Sequence, residues 1–213
     1  MARRRNPRGS GDKLRGELIA AANEILDRTG DPADVTVRGV AGAVGVAPTA
    51  VYLHFADRDT LLTEVVVDRF GAFKAALDDA IASVDDPLER MRRGHLAYCT
   101  FATDHPGHYR MLFGPTGIDP DRKDLWQRRL DVAFPAFEIL VDCCRRCIDA
   151  GVFGPVDPYE LAGALWAFEH GWVVLKTGGE EGSVVPDALA AFDVMLAGLR
   201  GTAAPAPSRV RGS

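Results

Sequence analysis

Residues 36–62, TVRGVAGAVGVAPTAVYLHFADRDTLL, constrain this chain more than any other stretch. They read as a helix, a tight turn, a second short helix and the start of a third. Thr36 suits the N-cap of a helix whose apolar face is Val37, Val40, Ala41 and Val44. Gly45 follows the last periodic residue, where the chain needs a left-handed backbone that glycine adopts most cheaply. Pro48 then opens the next helix in its first turn, where the missing N–H costs nothing. Small Ala41 lets the two helices cross closely, Gly45 makes the corner and Val51 fills the space between them. This is helix-turn-helix spacing, in which the second helix enters a DNA major groove. Two ordinary helices of a bundle can share that geometry, so the flanking residues matter.

The segment that follows, YLHFADRDTLL, is more specific. Tyr52 and His54 leave the end of the second helix in different directions, and Phe55 is placed to anchor that end in a core. Asp57 is an N-cap for the next helix and Arg58 its first residue. A helix N-terminus offers unpaired N–H groups and partial positive charge, which suits a DNA phosphate, and an arginine adds a formal charge. The bland alternative for Tyr52 and His54 is a half-buried rim. Overall net charge is −5, yet the acidic excess lies late: residues 1–60 hold nine of the 25 Lys/Arg and eight of the 30 Asp/Glu. Arg3, Arg4, Arg5 and Arg8 precede any acid. Residues 1–11 are therefore expected to be a disordered basic arm, lying along phosphates or in the minor groove, or serving only as a solubilising tail.

The rest of the chain predicts an all-α protein, because no strand-like alternation occurs. Leu14, Leu18, Ala21, Ala22, Ile25 and Leu26 form one stripe at helical spacing, ended by Gly30. A three-helix domain over 12–56 results. A long helix from Asp57 to about 83 is then expected to leave that domain and enter a second one over 57–200. Further helices are expected at 87–104, 106–113, 122–150, 158–177 and 186–200. Trp126, Leu130, Phe134, Phe137, Val141, Cys144 and Ile148 make an inward face on the 122–150 helix, which Pro135 should kink or locally loosen. Residues 201–213 read as a disordered tail.

The helix-turn-helix region resembles the DNA-binding domain of the tetracycline repressor family of bacterial regulators. The matching residues are Thr36, Val37, Val40, Ala41, Gly45, Val46, Val51, Tyr52, His54, Phe55, Arg58, Leu61 and Leu62. The family commonly caps its recognition helix with serine or threonine and places a basic residue early in it; here Ala47 and Pro48 stand there. WAFEHGWVVL at 166–175 and HPGHYRMLF at 105–113 resemble segments of a Trp…His-Gly branch of the same family. The resemblance implies an N-terminal helix-turn-helix domain with a larger helical ligand-binding and dimerisation domain. It also implies that the last two long helices pair with their copies in a second subunit.

The expected function is a homodimeric, ligand-responsive transcriptional regulator, a repressor released from a palindromic operator by a small, largely apolar effector. Its partners would be double-stranded DNA, a second copy of itself and the effector, with no membrane. Thr36, Arg38, Pro48, Thr49, Ala50, Tyr52, His54 and Arg58 are the expected DNA contacts. Thr49 and Ala50 would touch bases. The expected effector pocket is lined by His95, Tyr98, Phe101, Tyr109, Phe113, Trp126, Phe134, Phe137, Trp166 and His170. The expected dimer interface comprises Leu161, Leu165, Phe168, Trp172, Leu189, Phe192, Met195 and Leu196, with Gly163 and Gly171 permitting close approach. For any single aromatic, plain core packing is the competing reading.

Other classes find little support. No G-x-S-x-G, Walker loop, dinucleotide fingerprint or H-E-x-x-H occurs, so no catalytic residue, cofactor or metal site is expected. The C-x-x-C at Cys144–Cys147 lies late in a helix with no strand before it, and two thiolates are too few for zinc. Buried small hydrophobes are the expectation for these cysteines, with thiol sensing the alternative. No apolar run spans a bilayer and no signal segment opens the chain, so a cytoplasmic protein is expected. The rival to a DNA reader is a helical ligand- or partner-binding protein that no longer reads DNA.

Overall fold

A computed structural model describes residues 10–114, 117–178 and 185–201 of the 213-residue chain. The arginines of the expected basic arm and the tail beyond 201 lie outside the described residues. Every regular element among the described residues is helical. In chain order they are α1 (Ser10–Thr29), a short 3-10 turn (Pro32–Asp34), α2 (Val37–Val44), α3 (Pro48–Val51), α4 (Arg58–Ile81), α5 (Pro87–Asp104), α6 (Pro106–Phe113), α7 (Lys123–Asp149), α8 (Pro158–Gly178) and α9 (Ala188–Gly201). No described helix is long and apolar enough to cross a membrane.

The chain forms two compact units that do not follow a linear division. The first takes residues up to 76 together with 100–136, and the second takes 77–99 and everything from 137 onward. Helices α4, α5 and α7 each contribute to both units.

In the first unit, Leu18, Ala21, Ala22, Ile25 and Leu26 of α1 are buried, as are Val35, Val40, Ala41, Val51 and Phe55, and Leu61, Leu62, Val65 and Val66 of α4. Gly30, at φ 67°, ends α1, and its N–H donates to the Leu26 carbonyl at 2.8 Å. Helix α6 meets that end of α1 backbone to backbone. A Cβ on Gly107 would stand 2.6 Å from the Leu26 carbonyl oxygen and 3.0 Å from Gly30 Cα, so only glycine fits.

In the second unit, Met91, Val141, Cys143, Cys144, Cys147, Phe153, Leu161, Ala162, Leu165, Phe192 and Leu196 form the core, with Phe168 and Met195 packed on it. Part of the expected dimer interface therefore lies inside this unit. Leu161, Leu165, Phe192 and Leu196 are interior residues, and Trp172 is buried with its indole N–H donating to the Pro186 carbonyl at 3.1 Å. Phe168, Leu189 and Met195 are half-buried. Helix α8 is apolar around most of its circumference, so its periodicity does not say which face turns inward. The face it leaves outside carries Ala164, Ala167, Gly171, Val174 and Leu175, and α9 exposes Ala190, Val194 and Ala197.

A correction concerns α7. Trp126, Leu130 and Phe134 are 39%, 57% and 56% exposed rather than inward-facing. Leu125, Arg129 and Ala136 occupy the inner face instead. Buried Arg129 directs Nη2 at the last carbonyls of α6, 3.4 Å from those of Met111 and Leu112, and its guanidinium stacks 4.7 Å over the Trp126 ring. A charged residue that satisfies helix-end carbonyls has thus taken the inward position that hydropathy assigns to its neighbours. The helix is continuous through Pro135.

Candidate nucleic-acid interface

The turn between α2 and α3 is built as its residues dictate. Thr36 caps α2, its Oγ1 accepting from the Gly39 N–H at 3.1 Å. Gly45 sits at φ 73° and ψ 33°, the left-handed region, and the Val46 N–H closes onto the Ala41 carbonyl at 2.9 Å. Pro48 stands in the first turn of α3, whose N-cap Ala47 provides no side-chain hydrogen bond. Val51 and Phe55 are fully buried beneath the helix and fix its angle on the domain. Everything on the other side of α3 is accessible. Pro48 and Thr49 are exposed, Ala50 is half-buried, and Tyr52 is 54% exposed. Thr36 and Arg38 are exposed on the neighbouring α2 turn, and His54 is half-buried. Leu53, which the sequence reading did not single out, is the most exposed large hydrophobic residue described, at 82%. The clue was available: with Val51 and Phe55 inward, Leu53 must point out.

Arg58 behaves differently. Its Nε donates to the Val35 carbonyl at 2.9 Å and its Nη2 to the Pro32 carbonyl at 3.0 Å. The side chain ties the start of α4 to the loop before α2, so its guanidinium is engaged inside the unit and not held out for a phosphate. Asp57 caps α4 as expected, accepting from the Thr60 N–H at 2.7 Å, and that bond holds its carboxyl below the usual range. Arg122 reaches Asp57 Oδ2 at 2.8 Å, and the Asp119 N–H donates to Asp59 at 3.1 Å, fastening the segment after α6 to the same helix start.

The ten expected pocket residues fall into separate groups. In the first unit, Phe101, Tyr109 and Phe113 join Phe70 and Phe73 in an aromatic cluster. Ring centroids lie 5.0 Å apart for Phe73–Phe101 and Tyr109–Phe113, and 5.6 Å for Phe70–Phe113. Trp126 and Phe134 face outward, as described. In the second unit, Tyr98 Oη lies 2.7 Å from His170 Nδ1, which also faces the Trp166 carbonyl at 3.1 Å. The Trp166 ring meets His170 edge-on at 4.4 Å, and Phe137 meets Trp166 at 6.0 Å. Burial pushes the His170 imidazole below its ordinary value, which favours its neutral form.

The tetracyclin repressor-like C-terminal domain family matches residues 91–199, more than half of the chain. The chain belongs to that family. Several solved structures share the fold. A protein of unknown function from Rhodococcus sp. RHA1 is 26% identical, with a TM-score of 0.73, over 88% of this chain and 95% of that one. A TetR-family transcriptional regulator from Pectobacterium atrosepticum is 22% identical, with a TM-score of 0.70, over 91% and 97%. A candidate transcriptional regulator from Saccharomonospora viridis, in complex with choline, is 19% identical, with a TM-score of 0.67, over 89% and 95%. No curated protein matches the chain.

This tetracyclin repressor-like chain also buries a polar pair that the sequence did not announce. His95 is 2% and Glu169 3% exposed, and His95 Nδ1 lies 3.1 Å from Glu169 Oε1. The other ring nitrogen, Nε2, faces the Ala188 carbonyl at 3.0 Å and must therefore carry a hydrogen. Burial pushes the Glu169 carboxyl above its ordinary value, against the pull of His95. The His95 ring stacks on Phe192 at 4.0 Å, so α5, α8 and α9 are joined at one point. His95, expected in an effector pocket, is buried in this unit. All four cysteines are buried. Burial raises the Cys143 and Cys144 thiols to about 11 and about 12, and raises Cys99 further still.

Proposed function

We propose that this chain is a homodimeric, ligand-responsive transcriptional regulator that lays α3 in the major groove of a palindromic operator and represses from it. The observation that carries the reading is the exposure of α3. A four-residue helix held rigidly by buried Val51 and Phe55 presents Pro48, Thr49, Tyr52 and Leu53 outward, with Arg38 beside it. Such apolar exposure has a use if the helix meets base edges and thymine methyl groups. Thr49 and Ala50 are assigned to bases, and Thr36, Arg38, Tyr52 and His54 to phosphates. Arg58 supports the arrangement from behind.

Two readers are needed for useful affinity, spaced by one turn of B-DNA, about 34–36 Å, or a multiple of it. The surface proposed to pair the subunits is the outer face of α8 and α9. Ala164, Ala167, Gly171 and Val174 recur at steps of three and four, and a Cβ on Gly171 would meet nothing within 4 Å. Exposed Leu175 and Val194 extend the same apolar face. The effector is proposed to be small and largely apolar with one polar handle, received at Tyr98, Trp166 and His170. The Saccharomonospora viridis relative, solved with choline, supports a small ligand in this fold. Release follows only if the effector binds the two states of the protein unequally, and a coupling of about 1–3 kcal/mol is typical.

A gel shift on DNA upstream of the protein's own coding region tests the reading. Binding that weakens steeply with salt, and at least tenfold in Tyr52→Ala with the fold retained, is expected. Salt-insensitive or absent binding at low ionic strength overturns it, and leaves the helical partner-binding protein as the alternative.

A further inference from the structure

Three side chains outside the reader helix converge where α1 ends and α6 begins. Asp27 lies in the last turns of α1, His105 immediately precedes α6, and His108 lies in its first turn. His108 Nε2 is 3.4 Å from Asp27 Oδ1, and His105 Nδ1 is 3.9 Å from the same oxygen. One ligating atom from each residue lies within 4.8 Å of the other two. The two imidazoles stack with centroids 5.5 Å apart.

The decisive observation is His108. It is 2% exposed, neither ring nitrogen completes a hydrogen bond of good geometry, and its polar neighbours are the Asp27 carboxylate at 3.4 Å and the Asn23 backbone. Burying a polar ring with its hydrogen bonding incomplete is costly, so native structures rarely do it without a use for the ring. Asn23 stands one turn before Asp27 on the same face of α1, and its amide oxygen is buried and unpartnered. Asp27 and His105 are about half exposed, which gives the group an opening to solvent. The scaffold is stiff: the close backbone contact of Gly107 with Leu26 and Gly30 holds the two helix ends together.

We propose that Asp27, His105 and His108 form a binding site for a divalent transition-metal ion of the zinc, cobalt or nickel class. Two imidazole nitrogens and a carboxylate oxygen suit those ions, whereas calcium and magnesium prefer all-oxygen sets. Ligands about 2.0–2.1 Å from a tetrahedral zinc stand about 3.3–3.4 Å apart. The Asp27–His108 pair already has that separation, and rotation of exposed His105 closes the remainder. The fourth position faces the opening and takes water. A bound ion would clip the first helix of the reader domain to α6.

The test uses the full-length, tag-free protein without DNA, so its outcome is separate from that of the DNA-binding reading. Cobalt(II) is titrated with visible absorption as the readout, and zinc(II) with melting temperature. The expected result is one saturable cobalt band per chain and a rise in melting temperature of about 5 °C or more with zinc at a hundredfold excess over Kd. His105→Ala and Asp27→Ala, both at half-exposed positions, should each weaken metal binding at least tenfold while melting normally in the apo form. No saturable cobalt or zinc binding, or binding that both variants retain undiminished, overturns the proposal.

Discussion

The buried pair of His95 and Glu169 gives a prediction whose size follows from its geometry. Replacing Glu169 by alanine removes the carboxyl that meets His95 Nδ1, while Nε2 still faces the Ala188 carbonyl. The orphaned ring nitrogen costs about 1–3 kcal/mol, and breaking a buried pair of this kind typically costs about 3–5 kcal/mol in all. Replacement by glutamine keeps the shape and supplies an amide N–H that donates to Nδ1, so the loss should stay near 1 kcal/mol. Each kcal/mol moves the melting temperature by about 2–4 °C in a chain of this size. Glu169→Ala should therefore melt about 10 °C below the wild type, and Glu169→Gln within about 4 °C of it. The pH dependence has a definite sign. Burial raises the folded carboxyl above its unfolded value, so the folded chain keeps a proton that the unfolded chain releases. Its stabilising contribution is present below the ordinary carboxylate range and is lost as pH rises through the raised value. Thermal unfolding followed by circular dichroism across that range should show this slope in the wild type and not in Glu169→Gln. If glutamine and alanine destabilise equally, or if alanine costs less than about 1 kcal/mol, the hydrogen-bond account of the pair is wrong.

Two further outcomes are expected. Arg58→Ala should lose about 1.5–3 kcal/mol of stability in urea unfolding, because two carbonyl partners lose a charged donor, whereas exposed Arg38→Ala should leave stability within about 0.5 kcal/mol and weaken only DNA binding. Native-state alkylation at pH 8 should leave all four thiols largely unmodified over a time in which urea-unfolded protein reacts completely, since each is buried and the raised thiols hold their protons; rapid labelling of Cys144 or Cys147 would instead support thiol sensing.

What the sequence made legible was local. The Thr36 cap, the left-handed Gly45, Pro48 in the first turn and the anchors Val51 and Phe55 are each specified by their own chemistry, and the structure has them so. What it hid was long-range or ambiguous. Arg58 reads as a phosphate ligand until the carbonyls of Pro32 and Val35 arrive beside it, and backbone acceptors leave no mark in a sequence. Helix α8 is apolar nearly all round, so the residues expected at a dimer interface, Leu161, Leu165, Trp172, Phe192 and Leu196, became its core partners instead. Arg129 displaced Trp126 from the inner face of α7 because it satisfies the end of α6. Asp27, His105 and His108 meet only through the packing of α1 on α6, which no local pattern records.

The most direct test of the account is a hydroxyl-radical footprint on the operator, read together with the mass of the protein in solution. A dimer protecting two patches one helical turn apart, about 10 base pairs, with both patches lost in Tyr52→Ala, is the predicted result. A monomer, or protection that is absent or independent of the α3 side chains, would contradict it.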